Sequence, residues 1–462
     1  MKKQNDQRIP DFRARFLPLL LSGLFSQVYP IISTALISHR LDITALSSAG
    51  ALSSVSVLQS ALFVGLGTGI SLHLGIALNT PEENRIPSAI RGSLLVLTGA
   101  FLLSALLCAA SDPLCGLLHI SDELRADSTR YLRVLLAGSG LLTLKTALLQ
   151  THQNTGNIRF ASIASAGGIV LQSGLSILLF TVFPGQIWYV PASILLTNLF
   201  LSLWLLAALY LRYASWAIYR KGTISSTPPC LKDTDRTFFR AFTSARQIVR
   251  LGLSRSGMMA LIGLGGFFLQ RNINGLSADI IAGYSVGNVA VNLFMEPLNA
   301  MAVLMTVCLT GSKMQRNIED ALKAERFLLA KTLPYCLILV IFLPLGGRPL
   351  LALLSGSLSD AAVVNAGYLR LLITLPAFFP LTVYLISRNA LQLLRPHALY
   401  LFGLLEFLWE IIGAVSIRRI GYPAAPLSIA CAWITGAAAC AMILLQMRRE
   451  QKQKNDDDSP LS

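Results

Sequence analysis

The sequence predicts an all-α, polytopic membrane protein, and its composition is the first reason. Of its 462 residues, 54% are hydrophobic and 13% are charged, with a mean hydropathy of +0.61. A soluble domain carries about 25% charged residues. Long apolar runs are the second reason, because about 20 consecutive apolar residues cross a bilayer as a helix. We therefore expect nearly the whole chain to lie in the membrane.

Twelve apolar segments are separated by polar connections. They run over residues 16–38, 46–78, 88–110, 129–150, 160–183, 187–211, 248–270, 280–311, 327–347, 363–387, 397–417 and 423–447. The longest connection defines a cytoplasmic linker, 212–246, between an N-terminal six-helix bundle, 1–211, and a C-terminal one, 247–447. A cytoplasmic tail, 448–462, follows.

Short internal matches indicate that the two halves are repeats. Tyr131-Leu132-Arg133 opens the fourth segment, and Tyr368-Leu369-Arg370 opens the tenth. Leu41-Asp42 corresponds to Leu276-Ser277 at nearly the same offset. Six spans per repeat give both halves the same orientation, so we predict a pseudo-two-fold axis along the membrane normal, with substrate bound between the halves.

The positive charge follows the topology. Most of the 38 Lys and Arg residues fall on the side of both termini, which predicts cytoplasmic termini in a plasma (inner) membrane. This distribution explains the net charge of +15 without nucleic acid. The first apolar segment is too long for a signal-peptide core and is interpreted as an uncleaved span. The seven cysteines stand singly and are interpreted as buried hydrophobes.

The sequence lacks the motifs that would indicate an enzyme. No GxxxxGK[ST] loop is present, and Gly65-Leu66-Gly67-Thr68-Gly69 lacks the βαβ context of a dinucleotide site. We find no nucleophile with a matching base. We therefore expect no catalytic residues, no metal and no organic cofactor.

Several short motifs resemble those of the multidrug and toxic-compound extrusion (MATE) family. They are Leu41-Asp42 with Ala45 to Gly50, the Gly65 to Gly69 stretch, Gln153-Asn154-Thr155-Gly156, and Leu251-Gly252-Leu253-Ser254. The resemblance implies twelve helices in two bundles. It also implies export of small amphipathic or cationic compounds against H⁺ or Na⁺. The expected partners are such a substrate and membrane lipids, with the protein acting as a monomer.

The chain departs from this family where many members carry N-terminal carboxylates. Ser33 stands where the first helix often has Asp, and Gly168 and Gln172 replace the polar pair of the fifth helix. Three acids remain deep in predicted spans: Glu296, Glu406 and Glu410. We predict that these three carry the coupling ion or proton.

The arrangement of the three acids supports that role. Asn292, Glu296 and Asn299 fall on nearly one line of a helix, and Pro297 loosens the helix there. Glu406 and Glu410 lie one turn apart and would not readily both ionise in a low dielectric, which suits a proton carrier. The predicted substrate-cavity residues are Gln27, Ser33, Thr34, Gln172, Asn198, Asn288, Asn292, Asn299 and Arg255.

Three alternatives stay open at this point. A buried Arg255–Glu406 ion pair would make both residues structural. The chain resembles, more distantly, flippases of lipid-linked precursors in the same superfamily, although few cations lie within its spans. A transporter-like protein that serves as a receptor or assembly partner is the third alternative, and the missing N-terminal carboxylates motivate it.

Overall fold

The structure, a computed structural model, describes residues 12–79, 85–155, 157–183, 185–221, 234–310, 318–355 and 361–457. Seventeen α-helices make up almost all of these residues. They are α1 Phe12–Ser26, α2 Val28–Arg40, α3 Ile43–Ala51, α4 Ser53–Asn79, α5 Arg85–Ala109, α6 Ser111–Leu117, α7 Asp122–Ala137, α8 Ser139–Asn154, α9 Ile158–Val182, α10 Tyr189–Lys221, α11 Thr234–Ile273, α12 Ala278–Thr310, α13 Ile318–Ser355, α14 Ala361–Thr374, α15 Phe378–Leu394, α16 Ala398–Ile420 and α17 Ala424–Asp457.

The helices confirm the predicted fold class. Within the described residues, eleven helical segments are long and apolar enough to cross a membrane. The pair Ala241–Gly252 and Ser256–Ile273, bent by 60°, forms a twelfth if it is one span. Each predicted segment overlaps one of these spans. The ends differ, most clearly in α13, where the span begins at Ala321 although the sequence predicted 327.

The described chain divides into two compact units. The first contains residues 1–53, 118–121 and 261–462, and the second contains residues 54–117 and 122–260. The first predicted span therefore lies in the unit that contains most of the C-terminal half. The second and the seventh predicted spans are each divided between the two units. The boundaries given above for the two bundles stay a prediction.

A break divides the first span of the first unit. Helix α1 ends at Ser26 and α2 begins at Val28, with Gln27 between them. The cause lies one turn later, because Pro30 has no N–H to donate to the Ser26 carbonyl. The break leaves Gln27 at the junction of two helices.

The second span begins with a side-chain cap. Asp42 precedes α3, and its carboxylate accepts hydrogen bonds from the Ala45 N–H at 2.9 Å and the Thr44 hydroxyl at 2.6 Å. Partial burial opposes ionisation of Asp42, but these hydrogen bonds outweigh it and lower the pKa of the carboxyl group from its ordinary value. The cap satisfies N–H groups that the start of a helix otherwise leaves unpaired.

Glycines bring α12 and α14 into backbone contact in the first unit. A Cβ atom on Gly283 would lie 2.5 Å from the Val363 carbonyl oxygen and 2.6 Å from the Ala366 Cβ. A Cβ on Gly367 would lie 3.0 Å from the Gly283 carbonyl oxygen. Small residues permit this close approach between spanning helices. Gly287, one turn after Gly283, lies against Gly367 and Arg370, so the same face of α12 approaches Arg370.

Replacing Gly283 by valine tests this contact. We expect Gly283→Val to destabilise the fold by about 2 kcal/mol, because the added side chain overpacks an interface with no space for it. The measurement is the thermal unfolding midpoint of the purified protein in detergent. Gly167→Val is the matched control, since a Cβ at Gly167 meets no atom within 4 Å. An equal effect of the two substitutions would contradict the described packing.

Candidate ion and substrate site

Glu296 lies in the middle of α12 and is bound by residues of the first span. The Gln27 side-chain amide donates a hydrogen bond to Glu296 Oε1 at 2.6 Å. Gly23 lies directly against the other oxygen, where a Cβ atom would be 2.5 Å from Oε2. The Asn299 side chain also hydrogen-bonds to the carboxyl group. Neutral amides from two helices thus surround a half-buried acid.

The local backbone explains why this acid is accessible to side chains. Pro297 cannot donate to the helix, so the Leu293 carbonyl one turn earlier loses its helical hydrogen bond. The Tyr335 hydroxyl donates to the adjacent Phe294 carbonyl at 2.8 Å. Helix α12 continues through Pro297 without ending. The predicted alignment of Asn292, Glu296 and Asn299 therefore holds on a continuous helix, with Asn292 exposed one turn before the acid.

Asn288, two turns before Glu296, has a different partner. Its Oδ1 accepts a hydrogen bond from Arg370 Nη2 at 2.9 Å. The Arg370 guanidinium stacks over Tyr284 at 3.9 Å from the ring centre. Arg370 is only 4% exposed, and its Nε and Nη1 atoms are buried without a hydrogen-bond partner among the residues that the structure describes. The predicted cavity residue Asn288 thus holds a buried arginine.

Glu406 and Glu410 lie one turn apart on α16, as predicted, and their surroundings differ. The Tyr384 hydroxyl donates to Glu406 Oε1 at 2.6 Å. Glu410 Oε2 is buried and has no hydrogen-bond partner in the described residues. It lies against the backbone of α11 at Gly265, where a Cβ atom would collide with it. The Arg370 charge acts on Glu410, although no hydrogen bond joins the two groups.

The predicted Arg255–Glu406 pair is not tested, because the structure does not describe the Arg255 side chain. The contacts described for Glu406 come from α15 instead. Arg388 lies beside Tyr384, with its guanidinium carbon 5.1 Å from the ring centre, and its charge acts on Glu406.

The remaining predicted cavity residues do not gather around these acids. Ser33 and Thr34 are buried on α2, where the Ser33 hydroxyl donates to the Pro30 carbonyl of its own helix at 3.0 Å. Gln172 is half-buried on α9, and Asn198 is 1% exposed on α10, where its Oδ1 has no hydrogen-bond partner within the described part of the chain. Both belong to the second unit. Their predicted role stays a prediction.

Two buried charged residues of the first unit, the acid Glu325 and the cation Arg370, were not among the predicted site residues. Glu325 is 8% exposed and accepts a hydrogen bond from the Ser387 hydroxyl. It escaped notice because the ninth span begins six residues before the apolar run does. Arg370 was visible in the repeated Tyr-Leu-Arg motif, and its position inside a span was the available signal.

Comparison with known proteins agrees with this fold. Residues 18–178 match the family model MatE. An inward-facing multidrug resistance MATE transporter of the MOP superfamily superposes with a TM-score of 0.70 at 17% identity, over 92% of this chain and 96% of that one. An outward-facing multidrug resistance MATE transporter gives 0.61 at 15% identity, over 94% and 95%. No curated protein sequence matches the chain significantly.

A third structure widens the range of relatives. It is a MOP superfamily transporter from Pyrococcus furiosus Vc1 (DSM3638), whose reversed binding-pocket polarity suggests a different function for that protein. It superposes with a TM-score of 0.65 at 17% identity, over 94% of each chain. Together these findings confirm the resemblance inferred from the sequence. Residues 18–178 thus match the MatE family model, and the chain as a whole has the fold of multi-pass MATE transporters.

Arg370 and Glu410 provide a stability test of the site. The Arg370 charge acts on Glu410 without a hydrogen bond between them in the described residues, so removing either group leaves the other less well compensated in a buried position. We therefore expect Arg370→Gln and Glu410→Gln each to lower the thermal unfolding midpoint, and the double substitution to lower it less than the sum of the two. Strictly additive losses would show that the two charges do not interact.

Proposed function

We propose that the protein exports small amphipathic or cationic compounds in exchange for H⁺ or Na⁺ by alternating access. The match to the MatE family model in residues 18–178 supports transport as the activity. The charge of Glu296 and the groups that surround it support a cationic substrate class.

The observation that carries the proposal is the set of partners of Glu296. Gln27 and Asn299 are neutral amides, so none of the groups described as hydrogen-bonding to this carboxylate is positively charged. A negative charge inside a span is costly unless a proton, a cation or water balances it. A proton, a Na⁺ ion and a cationic substrate would compete for this one charge. Such competition makes binding of one favour release of another, as an exchanger requires.

The Gln27 contact links the occupant of Glu296 to the shape of the first span. A hydrogen bond to an ionised carboxylate is roughly twice as strong as a neutral one. Protonation of Glu296 would therefore weaken the Gln27 bond at the break between α1 and α2. The first span would then favour one position when Glu296 is protonated and another when it binds a cationic substrate. A shift between two conformations requires such a difference in contact strength.

The oxygen set at Glu296 also allows Na⁺. Glu296, Asn292 and Asn299 supply side-chain oxygens along one face of α12, and Na⁺ binding needs several converging oxygens. Proton and Na⁺ coupling are distinguished by experiment below. Glu406 and Glu410 remain further proposed proton carriers, because they lie deep in α16 in the same unit.

The flippase alternative is less well supported. A flippase of anionic lipid-linked precursors needs cations that its substrate can reach. Arg370 is 4% exposed and already engaged by Asn288 and Tyr284. The reported function of the Pyrococcus furiosus relative is not transferred to this chain.

Export of a fluorescent cation tests the proposal. In proteoliposomes with an imposed pH gradient, we expect the native protein to transport ethidium, and Glu296→Gln to reduce the rate at least about tenfold, because one general acid–base group commonly contributes 10²–10⁴-fold. The same assay with and without Na⁺ identifies the coupling ion.

The matched control is Glu319→Gln, which removes an acid of the same unit that pairs with Arg448 at 3.0 Å, at a partly exposed position. Native rates in Glu296→Gln would refute the role of Glu296. No ion-driven flux of ethidium or of tetraphenylphosphonium by the native protein would refute cation export and favour the receptor alternative.

A further inference from the structure

We propose that a proton relay runs through the first unit from Glu325 to Glu410, with Arg370 as the countercharge at its end. Its part in coupling rests on the proposed function, whereas its ability to bind and move protons does not. The relay is separate from Glu296, since the partners described for Glu296 are Gln27 and Asn299. It is argued from contacts between four helices.

The relay begins at the inner end predicted for α13. Glu325 lies seven residues after the start of α13 at Ile318, or about 10 Å along the helix at 1.5 Å per residue. It is 8% exposed, and the Ser387 hydroxyl of α15 donates to its Oε1. A buried acid this close to a helix start is within reach of water on one side and of α15 on the other.

Three polar residues on one face of α15 continue the path. Tyr384, Ser387 and Arg388 are spaced i, i+3 and i+4, so they share a face of the helix. Ser387 contacts Glu325, and Tyr384 donates to Glu406. Arg388 lies over the Tyr384 ring, with its guanidinium carbon 5.1 Å from the ring centre. This face therefore contacts an acid of α13 and an acid of α16.

The path then follows α16 for one turn to Glu410. Glu406 and Glu410 are four residues apart, about 6 Å in rise, a distance that one water molecule bridges. Glu410 Oε2 and the Arg370 Nε and Nη1 atoms are buried without hydrogen-bond partners in the described residues. Buried polar groups are normally satisfied by protein or ordered water. The Arg370 charge acts on Glu410, and the three unpartnered atoms of these two residues would be satisfied by water, which could also carry a mobile proton.

Arg370 does not prevent Glu410 from accepting a proton. When Glu410 is ionised, it balances the guanidinium charge. When Glu410 is protonated, Arg370 still has the Tyr284 ring at 3.9 Å and the Asn288 oxygen at 2.9 Å to stabilise it. The arginine therefore has a stable position in both states of the acid, as a reversible proton carrier requires.

Among the described residues, the titratable and charged groups that interact electrostatically with the relay residues are Arg326 of α13, Arg370 of α14, Arg388 of α15 and Cys440 of α17. Tyr284 and Asn288 of α12, and Tyr422 just before α17, lie around Arg370. The only acids among the relay and these groups are Glu325, Glu406 and Glu410.

A mechanical link joins the relay to the Glu296 site. Arg370 holds Asn288 and Tyr284, and both residues lie on α12, the helix that also carries Glu296. Asn288 is eight residues before Glu296, about 12 Å along the helix. A change in the charge of Glu410 changes how strongly Arg370 is drawn away from α12. Proton binding at the relay would thus bias the helix that binds the substrate.

Infrared difference spectroscopy tests the relay without a substrate. The full-length protein in lipid is titrated from alkaline to acidic buffer, and the carboxyl stretching bands are recorded. We expect Glu406→Gln and Glu410→Gln each to remove one band and Glu319→Gln to remove neither. After a rapid pH jump, Glu325→Gln should slow the appearance of the remaining bands at least about tenfold. Glu410→Asp, which keeps the charge, should move the band rather than remove it.

Two results would overturn the relay. One is a spectrum of Glu406→Gln and Glu410→Gln identical to that of the native protein. The other is an unchanged rate of protonation in Glu325→Gln. Glu296→Gln separates this proposal from the proposed function, because it should stop ethidium export and leave the relay bands in place. Relay bands in a protein that exports no cation would refute the export proposal alone.

Discussion

A carboxylate inside an apolar span needs polar partners, and this need determines how the first unit is arranged. Glu296 has one partner, Asn299, on its own helix and another, Gln27, on the first span, which is the most distant span of the unit in sequence. Gln27 reaches the acid because Pro30 breaks the helix at that level, and Gly23 lets the chain approach without a side chain in between. The helix break, Gly23 and the Gln27 amide thus together allow the first span to contact and hydrogen-bond to Glu296.

The same unit holds four more charged residues that take part in the contacts described above. Glu325, Arg370, Glu406 and Glu410 all lie in it, on helices that follow one another in the chain. The second unit has charged groups too, such as the exposed Arg125–Asp112 ion pair at 2.9 Å and the largely buried Lys145. The acids that we propose for coupling nevertheless all lie in the first unit.

The sequence predicted the spans well because length and apolarity decide them. It also placed Asn292, Glu296 and Asn299 on one helix face, since helical periodicity is local. It could not predict that Gln27 binds Glu296, because hydrogen bonds between residues so far apart in the chain depend on packing. Gln27 appeared only as a cavity residue. Glu325 was not predicted because the buried part of its helix begins before the apolar run. Hydropathy alone does not detect such a helix end.

Competition between a proton and a cation at Glu296 is the central claim, and proton release tests it most directly. The detergent-solubilised protein is placed in weakly buffered solution with a pH indicator, and ethidium is added. Binding of the cation should release protons from the native protein and not from Glu296→Gln. Ethidium binding without proton release by the native protein, in the absence of Na⁺ and in its presence, would contradict the claim for H⁺. Proton release that persists in Glu296→Gln would place the competition elsewhere.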